Sequence, residues 1–237
     1  MKKRLFSIVV FAIVFALNAN SQDDLKKVVL GFHGQLGFSF FNPDAKNYES
    51  NGAILSKGFG LRVDYNFAKN YSISTGFNVD YTGGKLTYPH TQKVNNIQTN
   101  GTLNRKYQIQ YLELPLNLVL KTNQIGYFTY YLQTGINTAI RMKAKYYDDF
   151  EYLDNSGTTQ NNVADDVDAK DFIRFGKVGY MVGMGTEYAL GESFSIYGML
   201  YYDNSLFNVL KANNSIDSSI KEYAKISNIG LRVGILF

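Results

Sequence analysis

The sequence contains no cysteine and no tryptophan, and it has only three prolines and two histidines. Without cysteine there are no disulfides, thiolate metal sites, thiol nucleophiles or lipid-modified anchor. Histidine is confined to His33 and His90, so any histidine-based nucleophilic chemistry must run through one of them. Excess charge is also lacking. Lys2, Lys3 and Arg4 sit in an N-terminal segment that reads as removable, and without them 21 bases face 20 acids. No basic surface argues for a nucleic-acid partner.

What is abundant is Tyr (19), Phe (17) and Gly (21), which suits strands, and 237 residues accommodate one all-β domain. The basic start, the apolar run from Leu5 to Leu17 and the small residues up to Ser21 make a secretory signal, too short to span as a helix. Cleavage is expected after Ser21, leaving residues 22–237 as a single domain.

The last stretch, NIGLRVGILF, alternates Ile229, Leu231, Val233, Ile235 and Phe237 against Asn228, Gly230, Arg232 and Gly234. That is a strand with two different faces. Similar alternation predicts strands over 28–40, 58–67, 71–81, 105–120, 125–146, 171–190, 193–210 and 222–237, with polar aperiodic loops at 83–104 and 147–170. In the fourth strand the apolar parity slips between Tyr111 and Leu112, which predicts a bulge near Tyr111. Long and short connections alternate, as they do in outer-membrane barrels with short periplasmic turns and long external loops. The expected fold is an eight-stranded antiparallel up-and-down transmembrane β-barrel, with Phe237 as its barrel-assembly signal.

Alternation alone does not say which face points inward, because a lipocalin-like soluble barrel alternates too. Glycine breaks the tie: Gly31, Gly37, Gly60, Gly135, Gly185, Gly230 and others share the polar face, where they make room for long side chains in a narrow lumen. That face also carries Arg62, Asp64, Asp80, Glu113, Arg141, Lys143, Lys177, Glu187, Asp203 and Arg232, whose balanced signs predict an ion-paired lumen network. Tyr65, Phe67, Tyr71 and Tyr81 near strand ends suit interfacial belts.

The stretches GFHGQLGFSF, GFGLRVDYNFAKNYSISTGFNVDY, YLELPLNLVLK, VGYMVGMGTEYALGESFSIYG and NIGLRVGILF resemble the PorT-type outer-membrane β-barrel family across essentially the whole mature chain. The most specific piece is Leu112, Glu113, Leu114, Pro115 and Leu116. The resemblance implies a small outer-membrane barrel. The family's founding member is implicated in secretion across the outer membrane, in machinery that also serves gliding.

Chemistry is sparse. His33 reads as a hydrogen-bonded lumen residue beside Gln35, and His90 as a loop residue. Glu113 and Asn117 are expected to point inward and meet Arg62 or Arg232. The acidic loop offers Asp165, Asp166 and Asp168 as a calcium candidate, although it lacks the glycine of an EF-hand, and a solvated loop is the simpler reading. No other metal, cofactor or catalytic residue is expected. Three functions stay open: a non-enzymatic accessory component of secretion, gliding or envelope organisation; a surface ligand-binding or adhesion barrel; and a lipid-modifying enzyme. The expected partners are outer-membrane lipid, the barrel-assembly machinery and secretion-system proteins.

Overall fold

The computed structural model describes residues 26–154, 156–191, 194–217 and 219–237, and the signal segment expected over 1–21 lies outside the described residues. Ten strands run through them: β1 (Val28–Pro43), β2 (Glu49–Ser50), β3 (Ile54–Ala68), β4 (Tyr71–Val94), β5 (Ile97–Lys121), β6 (Phe128–Leu153), β7 (Thr159–Asp168), β8 (Gly176–Ala189), β9 (Ser195–Ser205) and β10 (Ala224–Leu236). β2 and β7 are attached to β4 and β6, outside the ring. The other eight pair antiparallel in succession, and β10 returns to β1 from Gly31↔Leu236 to Pro43↔Ala224, closing the sheet. The protein is an eight-stranded antiparallel barrel.

Exposure settles the faces. Leu30, Phe32, Leu36 and Phe38 of β1 are 43–60% exposed, while His33 and Gln35 between them are buried. A soluble barrel would hide the apolar set. Here it forms a belt from Leu30 to Phe38 in β1, Tyr71 to Tyr81 in β4 and Ile229 in β10 to Phe237 just after it. Each run is about nine to eleven residues, the length a tilted strand needs to cross a bilayer.

The connections 69–70 and 122–127 turn back directly beneath the belt at one end, which by the rule for such barrels is periplasmic. Exposed aromatics gather there: Phe67 packs on Tyr71, Phe128 on Tyr188 and Phe194 on Phe237, with ring centroids 5.0–6.4 Å apart. Amphipathic and aromatic rings favour that interfacial depth.

At the other end the barrel grows upward. Residues 83–104, expected as a loop, are strand: β4 and β5 stay paired as far as Val94↔Ile97. Asn95 and Asn96, both at positive φ (48° and 67°), make the two-residue turn at the tip. Most of 147–170 is likewise strand, continuing β6 and adding β7 against it. Above the bilayer no lipid rewards an apolar outer face, so the alternation that marks the membrane segments fades.

The parity slip near Tyr111 has the same cause. β5 carries no bulge against β4; its odd residues face inward throughout, from Leu103, Tyr107 and Tyr111 to Glu113 and Asn117. What changes is solvent. Below Leu112 the apolar side chains face lipid, and above it they face inward to a protein core. The register irregularity lies across from Tyr111, in β6, where Gln110 pairs Lys143 and Tyr111 pairs Arg141, leaving Met142 extra. It turns Lys143 outward, so that residue leaves the lumen where it was expected.

The ring closes tightly. Gly37 of β1 faces Gly230 of β10, and a Cβ at Gly37 would fall 2.3 Å from the Ile229 carbonyl oxygen and 2.7 Å from Gly230 Cα. Lumen rings use the same space: a Cβ at Gly185 would lie 2.7 Å from the Tyr131 ring. Gly37→Val is therefore expected to cost about 1–3 kcal/mol by overpacking the closing seam. It should lower the urea midpoint for loss of the fast-migrating unheated band on a gel, and an unchanged midpoint would refute tight closure.

Candidate functional site

Two regions concentrate polar chemistry, the lumen and the external end above it. The lumen holds two ionic tiers, each built from inward residues of neighbouring strands. Near the periplasmic end Arg62 lies against Asp64 at 2.7 Å and 3.9 Å from Glu187, and Lys121 reaches Glu187 at 2.8 Å. The Arg62 guanidinium also stacks over Tyr197 and Tyr131, at 4.8 and 5.5 Å. Lys121 went unnoticed in the sequence because it is the last residue of its strand.

In the upper tier Lys177 stands between Asp203 at 3.1 Å and Glu113 at 3.4 Å. Glu113 accepts a hydrogen bond from Asn78, Asp203 one from Asn137, and Asp80 one from Gln35, whose carbonyl oxygen accepts from Arg232 at 2.9 Å. Glu113 thus meets Lys177 rather than Arg62 or Arg232. His33 is buried with its ring edge toward Tyr197, and Gln35 turns to Asp80 and Arg232 instead of to it. Arg141 lies outside both tiers; it donates to the backbone carbonyls of Lys170 and Ile173 and ties down the segment after β7. Between these groups the cavity beside Lys177, Asp203 and Arg232 holds only about 10 Å³, room for about one water molecule.

The LELPL segment occupies the middle of β5. Leu114 and Leu116 are exposed to the lipid side, Glu113 is in the ionic tier, and Pro115 faces inward opposite Asn137. Pro115 brings no donor to the ladder, while its carbonyl oxygen accepts from Thr75 Oγ1 at 2.9 Å.

The external end has its own apolar core. Phe41, Leu86, Tyr107, Phe150, Ile173 and Leu210 are fully buried there, brought together from β1, the raised parts of β4 to β6 and the connections before β8 and β10. Inside it Arg105 forms a two-pronged bond to Asp148, at 2.6 and 2.7 Å, and lies 4.1 Å from the Tyr146 ring centroid and 5.0 Å from that of Phe172. Tyr48 stacks on Tyr88 at 4.3 Å, donates to Glu222 and accepts from Asn214. Burial raises the Glu222 carboxyl above its ordinary range, against the pull of Arg105. His90, lowered by burial and by Arg105, meets Ser215 Oγ at 2.8 Å, and that oxygen also accepts from the Thr91 backbone N–H. The Ser215–His90 contact therefore works as a latch between the connection before β10 and the raised hairpin. A cleft of about 360 Å³ opens beside this region, lined by Asn51, Lys85, Asn104, Lys106, Tyr147 and Asp149 among others.

Asp165, Asp166 and Asp168 do not converge. Asp166 is bound by Lys145 at 2.6 Å and Asp168 by Lys170 at 2.9 Å, and the described residues contain no group of three His, Cys, Asp or Glu side chains placed to hold a metal ion. Phe237 ends the seam, exchanging backbone hydrogen bonds with Leu30.

The sequence profile of the outer membrane protein beta-barrel domain family matches residues 18–211. No curated protein matches the chain. Among solved structures it is similar to Neisserial surface protein A (9% identity, 86% of this chain and 95% of that one, TM-score 0.38). It is also similar to the attachment invasion locus protein Ail of Yersinia pestis (14%, 87% and 98%, 0.34) and to OprG of Pseudomonas aeruginosa (13%, 86% and 95%, 0.39).

Two outcomes follow from these contacts. Lys177→Met strands Glu113 and Asp203 together and is expected to cost about 3–5 kcal/mol, whereas Glu113→Gln leaves Lys177 its Asp203 partner and costs about 1 kcal/mol. Urea midpoints in the reverse order would refute the paired tier. For Glu222, a raised carboxyl contributes stability that is complete below the ordinary carboxylate value and is lost as pH rises through the folded value. Glu222→Gln should therefore protect the external connections from protease more at pH 8 than at pH 5, relative to the native chain. An equal effect at both would remove Glu222 from that role.

Proposed function

The chain belongs to the outer membrane protein beta-barrel domain family, and from that premise we propose that it is a non-enzymatic barrel working by contact through its external sheet and cap. One observation carries this reading: the lumen is filled by paired charges and rings, while β4 to β7 rise above the lipid belt as a structured sheet with a core beneath it. A filled eight-stranded lumen passes no solute. A raised sheet held by its own packing presents a fixed surface at low entropic cost to a partner.

The resemblance to the PorT-type family favours protein partners in secretion, gliding or envelope organisation, with the Phe237 end recognised by the barrel-assembly machinery. A surface-ligand role is supported by the cleft beside Asn104 and Asp149. The Ser215–His90 pair supports a latch better than a nucleophile, since Ser215 already accepts from the Thr91 N–H and, among the described residues, no carboxylate hydrogen-bonds the ring.

The test places a photocrosslinking residue at Ile97 or Thr99 on the hairpin tip, and separately replaces 90–101 with Asn-Gly. The expected result is a reproducible protein adduct in cells, lost in the shortened chain, while both chains stay in the outer membrane as heat-modifiable bands. A heat-modifiable barrel with no protein adduct, whose shortening changes only adherence of the cells, would replace the accessory reading with the surface-ligand one.

A further inference from the structure

Above the lipid belt the raised sheet is no longer part of a closed ring, so it has two edges, and the molecule treats them differently. One edge is β4. Gly83 gives its N–H to Ser39 Oγ and takes that hydroxyl on its carbonyl oxygen, and the Lys85 carbonyl accepts from the Asn51 N–H. β2 pairs at Leu86 and Thr87, the Pro89 carbonyl accepts from Asn214, and the Thr91 N–H donates to Ser215 Oγ. Pro89 has no donor to leave open. This edge is closed nearly residue by residue.

The other edge is β7. It pairs with β6, and among the described residues no group hydrogen-bonds its backbone from the far side. Exposed edges are usually blunted by lysine, proline, a bulge or a covering segment. β7 has a bulge only at its lower end, where Asp165 and Asp166 stand against Tyr147 and Asp166 takes a φ of 59°. Above that bulge Thr159 to Ala164 reads TQNNVA, with no charge and no proline, and its Val163 is 60% exposed. The run stands clear of lipid, since Asn104, Asp149 and Val163 form a row roughly 20 Å along β5 above Gln110, the neighbour of the belt residue Tyr81.

Charge says what fits there. Asp154 precedes the run, and Asp165, Asp166 and Asp168 follow it. Lys145 and Lys170 hold Asp166 and Asp168, whereas among the described residues no cation lies within ion-pair distance of Asp154 or Asp165. Asp149 and Glu151, opposite Val163 and Asn161, add two more carboxylates beside the edge, and one Asp149 oxygen is buried without a partner. Lys85 and Lys106 line the same cleft from β4 and β5, away from the edge. A second copy of the chain is a poor occupant, because two antiparallel β7 strands would bring the Asp154 end of each toward the Asp165 to Asp168 end of the other.

We propose that the free edge of β7 is a strand-addition site, at which an extended segment of a partner protein, uncharged in its middle and carrying lysine or arginine at its ends, pairs with residues 159–164. The inference rests on the contact reading above and gives that contact its mode. Backbone hydrogen bonds along the run supply the attraction, and Asp154 and Asp165 at its two ends select a basic partner.

The test uses the full mature chain in neutral detergent and three peptides: Lys-Thr-Val-Thr-Val-Thr-Lys, the same peptide with alternate backbone nitrogens methylated, and a version with Glu in place of both lysines. Binding is read by fluorescence anisotropy and by amide hydrogen exchange. The lysine peptide is expected to bind and to slow exchange within 159–164 while leaving 87–93 unchanged. The methylated peptide, which lacks the donors, should not bind, and the Glu peptide should bind at least ten-fold more weakly. Changing Asp149 and Asp165 together to Asn should weaken the lysine peptide about five-fold. Equal binding of the methylated peptide, or no gain of protection within 159–164, overturns the site. Protection of that run in the free chain together with a dimeric mass also overturns it, because a second copy then holds the edge. An adduct from Ile97 in cells with no protection of β7 refutes strand addition alone and leaves the contact reading standing.

Discussion

Hydrocarbon offers no hydrogen bonds, so a sheet that enters it must leave no edge. The pairing of β10 with β1 meets that demand, and most of the structure follows from it. Closing at eight strands leaves a lumen that side chains fill, so the glycines of the inner face become spaces for neighbouring rings and the inner charges must find partners. They do so in two tiers that have little else in common. The lower one centres on an arginine sandwiched between tyrosines, and the upper on a lysine shared by two carboxylates.

The second consequence is an inversion of polarity along single strands. β5 is the clearest case, since it never changes which residues point inward, yet Leu114 and Leu116 face lipid while Leu103 and Tyr107 face a core. One backbone therefore serves two solvents. The point of change is marked by the extra Met142 in β6, which resets the parity of the neighbouring strand and sends Lys143 outward. Lys143 is thereby exposed on the outer face, so a local irregularity of the ladder contributes to the chemistry of the surface.

This inversion also explains what was legible in the sequence. Strands such as Tyr71 to Tyr81 were readable because lipid on one side and packed polar groups on the other impose alternation. The membrane portions, the closed ring and the inward placement of Arg62, Glu113 and Lys177 all followed from that pattern. Residues 83–104 and 147–170 read as loops because their strands face water on one side and a mixed core on the other, and neither surface demands strict alternation. Partners within the lumen were not readable at all. Period two says that Glu113 points inward, but which cation it meets depends on the shear of the ring, and Lys177 rather than Arg62 or Arg232 stands beside it.

The two halves of the molecule are mechanically continuous. Lys177, which balances Glu113 and Asp203, also lies 5.4 Å from the ring of Tyr111, and Tyr111 belongs to the core of the external end. The cap is thus seated on the ionic tier instead of hanging from flexible loops. Arg141 adds a second tie by holding the backbone at Lys170 and Ile173, and Ser215 a third through His90 and Thr91. Bracing of this kind fits the contact role proposed above better than passage through the lumen. Its rigidity is spent above the membrane, where the sheet of β4 to β7 holds a defined surface that a partner can meet without first ordering it.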